Sequence, residues 1–307
     1  MFNPNEHLEQ CERYMSRFLG SAVKLIRAEA LQQSTREAPW RLDVRVDGVE
    51  QVFVLQVDPR GMEYEYQILK AVESIPIRTP RAYGLDMQGE ALGVPCFFSD
   101  FIEGESLLGS MLAGEAWAEE LYFDTVCALQ AVTEKDLGDF APKVERISLA
   151  DMIDEKYARL KAKLFPLADA AYKKLKEEMP APSALRFSNG DLWLDNFIAR
   201  DGKLAGVIDF QNAAFSAPLF EFLLSFFVEP KLQGRGMEER FCQRIGMDPD
   251  VLRWYHGLEY FDVLPWLLET GKNFVHHTAE SAEANLQKWL DGDPMSPRVA
   301  SDKKENS

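Results

Sequence analysis

Hydrophobic and polar positions along this chain follow one period at the start and another after about residue 103. Trp40, Leu42, Val44 and Val46 alternate with Arg41, Asp43 and Arg45, the two-residue period of a half-buried strand. Strand-type runs also stand at residues 23–31 and 52–57, and Asp47-Gly48 marks the turn into the last of them, so this region reads as an antiparallel β-meander. A helix start precedes it: Asn3 as N-cap, Pro4 in the first turn and Glu6 closing a capping box, with Leu8, Tyr14, Phe18 and Leu19 presented before Gly20 stops the helix. Residues 65–72 read as a second helix, and residues 94–105 as a buried strand ending in a glycine-containing connector. Beyond that connector apolar residues recur at i, i+3 and i+4, predicting helices over 106–113, 115–133, 148–164, 167–179, 219–228, 236–245, 249–270 and 273–290. The tail from Asp291, rich in Pro, Ser, Lys, Asp and Glu, is expected to be disordered.

One stretch interrupts the helices. From Leu185 it runs strand, polar turn (Asn189-Gly190-Asp191), Asn196, and then two β-type runs, 197–199 and 204–208, around Arg200-Asp201-Gly202-Lys203. Asp-Gly between apolar runs is a strong hairpin signal, because Asp tolerates positive φ and Gly has no Cβ. With Asp201 and Gly202 as the turn, Arg200 pairs with Lys203, Ala199 with Leu204, Ile198 with Ala205, Phe197 with Gly206 and Asn196 with Val207. Asp209 then projects on Val207's face, diagonally across from Asn196 at roughly 7 Å. One divalent cation could bridge an amide oxygen and a carboxylate so placed, and Mg²⁺ prefers such hard oxygen ligands. Asp191 is left to orient or deprotonate a hydroxyl.

Composition narrows the function classes. The formal net charge is −16, which argues against nucleic-acid or anionic-membrane partners and is compatible with a cationic substrate. At 307 residues, 46% hydrophobic, the chain suits a soluble protein of two lobes. No apolar run is long enough to span a membrane, and the first residues do not resemble a secretory signal, so a cytoplasmic protein is expected. Cys11, Cys96, Cys127 and Cys242 show no CxxC spacing and are expected as reduced thiols. The adjacent His276-His277 reads as a solvated helix end.

Asn189-Gly190-Asp191-Leu192-Trp193-Leu194-Asp195-Asn196, followed by Ile208-Asp209-Phe210, resembles the catalytic loop and metal segment of the aminoglycoside phosphotransferase and choline kinase-like small-molecule kinases. The resemblance implies an α+β, two-lobed protein-kinase-like fold: an antiparallel β-sheet lobe over residues 1–103 that binds nucleotide, a helical lobe over 104–290 that binds the acceptor, and the tail 291–307. It implies Asp191 as catalytic base, Asn196 and Asp209 as Mg²⁺ ligands, and ATP as co-substrate. The hairpin tip Ser34-Thr35-Arg36 is expected over the phosphates. Gln56 stands in the strand position of the phosphate-gripping Lys or Arg, with Glu65 at the ion-pair position of the next helix. The hinge backbone at Asp100, Phe101 and Ile102 would meet adenine, with Phe98 and Phe101 near the ring. Trp193, Glu221 and Trp266 are candidates for touching a small-molecule hydroxyl acceptor. Trp254, Tyr255, Tyr260 and Trp266, interleaved with Glu259, Asp262 and Glu269, suit an amine by cation–π attraction, and read equally as core.

Three departures from the family's pattern stand out. Asn189 replaces the loop's usual histidine, Gln56 brings no charge, and Glu221 stands where an aspartate is common. The expected activity is phosphoryl transfer from ATP to a small-molecule hydroxyl; the alternative is a nucleotide-binding pseudokinase acting as a regulatory or interaction module.

Overall fold

The computed structural model describes residues 2–31 and 38–294. Its helices in chain order are α1 (Leu8–Leu19), α2 (Met62–Val72), α3 (Leu107–Ala113), α4 (Ala116–Gln130), α5 (Glu134–Leu137), α6 (Leu149–Ala162), α7 (Ala168–Glu177), α8 (Leu224–Val228), α9 (Met237–Arg244), α10 (Leu252–Thr270) and α11 (Ala279–Asp291). The strands are β1 (Val23–Ala30), β2 (Trp40–Val46), β3 (Val49–Gln56), β4 (Ala82–Asp86), β5 (Cys96–Asp100), β6 (Glu105–Ser106), β7 (Glu145–Arg146), β8 (Arg186–Ser188), β9 (Phe197–Arg200), β10 (Lys203–Val207) and β11 (Ala214–Ser216). The expected tip contacts Ser34, Thr35 and Arg36, and the tail beyond residue 294, lie outside the described residues. No described helix is long and apolar enough to cross a membrane.

The chain forms two compact units, and a single cut at residue 103 does not separate them. The first holds the residues up to Ser106, Val132–Val144 and Asp195–Ala213; the second holds Leu107–Ala131, Glu145–Leu194 and the chain from Ala214 on.

In the first unit five strands make an antiparallel sheet in the order β1-β2-β3-β5-β4. The alternation in β2 puts Leu42 and Val44 in a core with Val23, Leu25, Phe53, Leu55, Cys96 and Phe98, and α1 adds Cys11, Tyr14 and Met15 to it. Phe98 is fully buried, stacked on Tyr83 with centroids 5.1 Å apart and edge-on to Tyr14. That position corrects its expected place beside a nucleotide ring. Truncating a ring so packed costs about 3–5 kcal/mol. Residues of opposite phase belong to the other face, where Phe97 of β5 meets Tyr66 of α2 at 5.7 Å. The β2–β3 turn takes positive φ at both Asp47 (48°) and Gly48 (87°), as a two-residue hairpin of this twist requires.

The N-terminal helix begins later than its capping signal suggests. Pro4–Glu6 is a separate 3₁₀ turn in which the Asn3 side chain accepts the Asn5 N–H at 3.1 Å, and Glu6 accepts from the Asn3 side chain rather than from its backbone. Leu8 and Phe18 are 44% and 41% exposed, so the helix buries a narrower face than expected.

In the second unit α10 and α11 pack so closely that a Cβ on Gly257 would lie 2.1 Å from the Trp289 indole. An aromatic cluster of Tyr122, Phe123, Phe222, Phe226 and Phe241 fills the space around α4, with Phe222 stacked on Phe241 at 3.7 Å. The last predicted helix is shorter than its apolar period: Phe274 and His277 form a backbone bridge, and Thr278 caps α11. His277, expected at a solvated end, is fully buried, stacked on Phe227 at 3.9 Å and bonded to its carbonyl.

Candidate functional site

The β9–β10 hairpin turns on Asp201 (φ 52°) and Gly202 (φ 70°), and Arg200 pairs with Lys203 and Ala199 with Leu204, as the sequence predicts. The register then slips. A bulge after Leu204 sets Gly206 opposite Ile198 and Val207 opposite Phe197, and the Ile208 N–H donates to the Asn196 carbonyl at 2.9 Å. Asn196 therefore faces Ile208, not Val207, and Asp209 lies one residue past that partner rather than two. The expected diagonal geometry is corrected by that one residue. A third segment explains the slip. The Arg78 carbonyl accepts from Val207 N–H at 3.0 Å and would lie 2.9 Å from any Cβ at position 206. Only glycine fits there.

Asp209 leaves the extended conformation at φ 58°, a region most residues avoid. Asn196 is buried. Among the described residues no three His, Cys, Asp or Glu side chains group as a metal site. A cation on this hairpin would draw on one amide oxygen, one carboxylate and non-protein oxygens. That donor set fits Mg²⁺, which keeps waters and substrate oxygens in its shell.

In the second unit, the turn carrying Asp191 is built on buried side chains. Asn189 is fully buried; its amide donates to the Asp191 carbonyl at 2.9 Å, and its oxygen accepts the Asp191 N–H at 3.4 Å. The replacement for histidine thus grips the backbone of the acid it precedes. The Asp191 carboxylate accepts the Trp193 N–H at 3.3 Å. The next carbonyl, Leu192, is held by Tyr122 Oη at 2.7 Å and Ser225 Oγ at 3.0 Å. Beneath the turn, Ser188 Oγ donates to Glu221 and accepts the Gly190 N–H at 3.0 Å. Glu221 is 7% exposed. Burial pushes its carboxyl up to about 7, opposed by hydrogen bonds from Ser188 and Ser216 and reinforced by the charge of Asp191. The expected contact of Glu221 with substrate is therefore corrected: the residue supports the turn from below.

The nucleotide-side candidates lie in the first unit. Gln56 is 8% exposed, and its Oε1 is buried without a hydrogen bond. Glu65 is buried on α2. Arg60, four residues past Gln56, is held by Asp58 through Nε at 2.9 Å. In the hinge segment the Asp100 N–H already donates to the Arg81 carbonyl at 3.0 Å, and the Phe101 N–H to Val52 at 3.2 Å. Those two N–H donors are therefore already engaged within the first unit, which leaves the carbonyls of the segment as its acceptors. The Phe101 ring lies under the Arg41 guanidinium at 4.8 Å.

Trp254, Tyr255 and Tyr260 are core. Asp262 pairs with Lys156 at 3.0 Å and Glu269 with Arg159 at 2.9 Å, so these acids already have cations. Trp266 is 38% exposed, edge-on to Phe274, and Trp193 is half-buried. Sequence reasoning missed the Ser188–Glu221 support and a bond from Ser106 to Asp195; neither residue pair has a spacing that announces it.

A family model described as "Phosphotransferase enzyme family" matches residues 41–255. No curated protein sequence matches the chain. Several solved structures share its fold. A Ralstonia eutropha JMP134 protein provisionally named an aminoglycoside phosphotransferase is 16% identical, with TM-score 0.70 over 92% of this chain and 95% of that one. A thermostable mutant of aminoglycoside phosphotransferase APH(4)-Ia, in ternary complex with AMP-PNP and hygromycin B, is 17% identical, with TM-score 0.66 over 92% and 97%. Choline kinase LicA from Streptococcus pneumoniae is 14% identical, with TM-score 0.59 over 93% and 99%. At these identities the likeness establishes the α+β, kinase-like fold.

Proposed function

Because the chain belongs to the phosphotransferase enzyme family, we propose that it transfers the γ-phosphoryl group of ATP to a hydroxyl of a small molecule. The observation that carries this reading is the Ile208-to-Asn196 backbone bond, which sets Asp209 one residue beyond Asn196's partner in a segment that begins with Asp191. The AMP-PNP and hygromycin B complex of a protein of the same fold supports a nucleotide donor and a hydroxyl-bearing acceptor.

In this reading Asp191 accepts a hydrogen bond from the acceptor hydroxyl and takes its proton as the new O–P bond forms. The bond from the γ-phosphorus to the bridging oxygen breaks, and ADP leaves. Asn189 holds the backbone of Asp191, so the carboxylate meets the hydroxyl in a preset orientation; such positioning supplies much of the acceleration in phosphoryl transfer. Asn196 and Asp209 would hold Mg²⁺, which when bound neutralises charge on the phosphate oxygens. Gln56 offers the phosphates an amide donor, Ile102 offers adenine a backbone group, and Trp193 and Trp266 are the aromatic candidates for the acceptor. The test is a phosphotransfer screen over hydroxylated metabolites with ATP and Mg²⁺, run beside Asp191→Ala. Equal turnover by the variant refutes the assignment.

Gln56 motivates a second reading, a nucleotide-binding pseudokinase, because its buried amide brings no charge to offset a triphosphate. Thermal stabilisation by ATP and Mg²⁺ without transfer to any acceptor in the screen favours it.

A further inference from the structure

The chain first leaves the first unit after Ser106 and, after a short return over Val132–Val144, enters it for the last time at Asp195. Ser106 Oγ donates to Asp195 Oδ1 at 2.7 Å, so a charge-assisted hydrogen bond joins the two crossing points, 89 residues apart in sequence. The surrounding backbone leaves Ser106 little freedom. β6 pairs with β9, Glu105 opposite Ala199 and Ser106 opposite Ile198. Gly104, at φ 149°, presses so close that a Cβ there would lie 2.4 Å from the Ala199 carbonyl and 2.8 Å from Ile198 Cγ2. Glu103 pairs with Arg200 at 3.2 Å. Residues 103–106 thus run alongside β9 and end with a hydroxyl aimed at the residue just before Asn196.

The other side of the bond is a short turn. Leu194–Asn196 is a lone 3₁₀ turn, a geometry with poor internal hydrogen bonds. Along the chain it follows the turn that carries Asp191 and ends on Asn196. Asp195 is exposed, so burial does not hold it. We propose that Ser106 and Asp195 are positioning residues: their hydrogen bond clasps the turn between the base and the first metal ligand and sets the placement of Asn196. The inference deepens the phosphotransferase reading and rests on it for the role of Asn196.

The test begins on the ligand-free protein. Hydrogen exchange of the amides in residues 191–199 is compared among wild type, Ser106→Ala, Ser106→Thr, Asp195→Ala and the double alanine variant. Loss of one such bond should speed exchange about three- to tenfold in each alanine variant. The double variant should be no faster than either single one, and Ser106→Thr, which keeps the hydroxyl, should restore the wild-type rate. Calorimetric ATP titrations at several Mg²⁺ concentrations should then show both alanine variants needing about three- to tenfold more Mg²⁺ for half-maximal binding. Unchanged exchange in the single variants overturns the proposal. Additive effects in the double variant also overturn it, because the two residues would then act separately. Weaker ATP binding with unchanged exchange overturns it too, since Ser106 would then merely touch the nucleotide. A wild-type protein that binds no nucleotide refutes the phosphotransferase reading instead, and leaves the exchange result as the measure of the clasp itself.

Discussion

The segment from Asn189 to Asp209 is held at its two ends by different means. At the Asn196–Asp209 end, backbone does most of the holding: a strand ladder, a two-residue turn and a bulge seated under the Arg78 carbonyl, with the Ser106–Asp195 side-chain bond beside them. At the Asp191 end, side chains do it: Asn189 grips the turn, Ser188 and Glu221 brace it, and Tyr122 and Ser225 hold the Leu192 carbonyl. Backbone ladders are indifferent to pH and tolerant of side-chain change. Networks of buried polar side chains carry titratable groups and fail when one partner is lost. The metal end should therefore respond to backbone geometry and the base end to protonation.

The largest expected effect lies at the base itself. Asp191→Ala should lower kcat by about 10³-fold, the range for loss of a general base, while ATP affinity stays within about twofold. Steady-state kinetics beside calorimetry separates the two quantities. If both fall together, the two ends are not independent.

Asp209→Ala should reduce ATP affinity in the presence of Mg²⁺ by at least about tenfold and leave Mg²⁺-free binding unchanged, because a carboxylate is the stronger of two oxygen ligands. The same titration with and without chelator checks it.

Glu221 sharpens the contrast in pH. Its folded carboxyl titrates near 7, above its ordinary value of 4.5, so between those values the folded protein keeps a proton that the unfolded chain releases. Stability must then fall as pH rises through that window and level off above it, by at most about 3 kcal/mol. Glu221→Gln lacks that slope. Thermal unfolding from pH 4.5 to 8 should show its advantage over wild type growing with pH; a constant difference would contradict the network's role.

The smallest effect belongs to the turn of the metal hairpin. Gly202→Ala, at φ 70°, should cost about 1 kcal/mol of stability, with no dependence on pH. Denaturant titration at two pH values measures both the loss and its independence of protons.

How much of this was legible beforehand differs element by element. The residues of β2 were read end to end from alternation, and Asp201-Gly202 was read as a turn from its φ tolerance alone. Both signals are local: a period of two, and a Cβ absent or tolerated. The bulge at Gly206 was not legible, because its cause is the carbonyl of Arg78, more than a hundred residues earlier. Nor did any periodicity show that Glu221 sits under the turn, that His277 is buried on Phe227, or that the Asp100 and Phe101 amides are already taken by the sheet.

By itself, then, the order of residues determined the long strands and helices, the hairpin turn, and which acids and amides stand close together along the chain, but not short elements such as α5, β7 and β11. These follow from short-range sterics and burial periodicity, which each residue carries with it. The tertiary structure alone decided which ladder partner Asn196 faces, which carboxyl is kept from water, and which hydroxyl reaches Asp195. Those depend on segments distant in sequence meeting at hydrogen-bond distance, where a shift of one residue changes the partner and a few ångströms of burial move a proton.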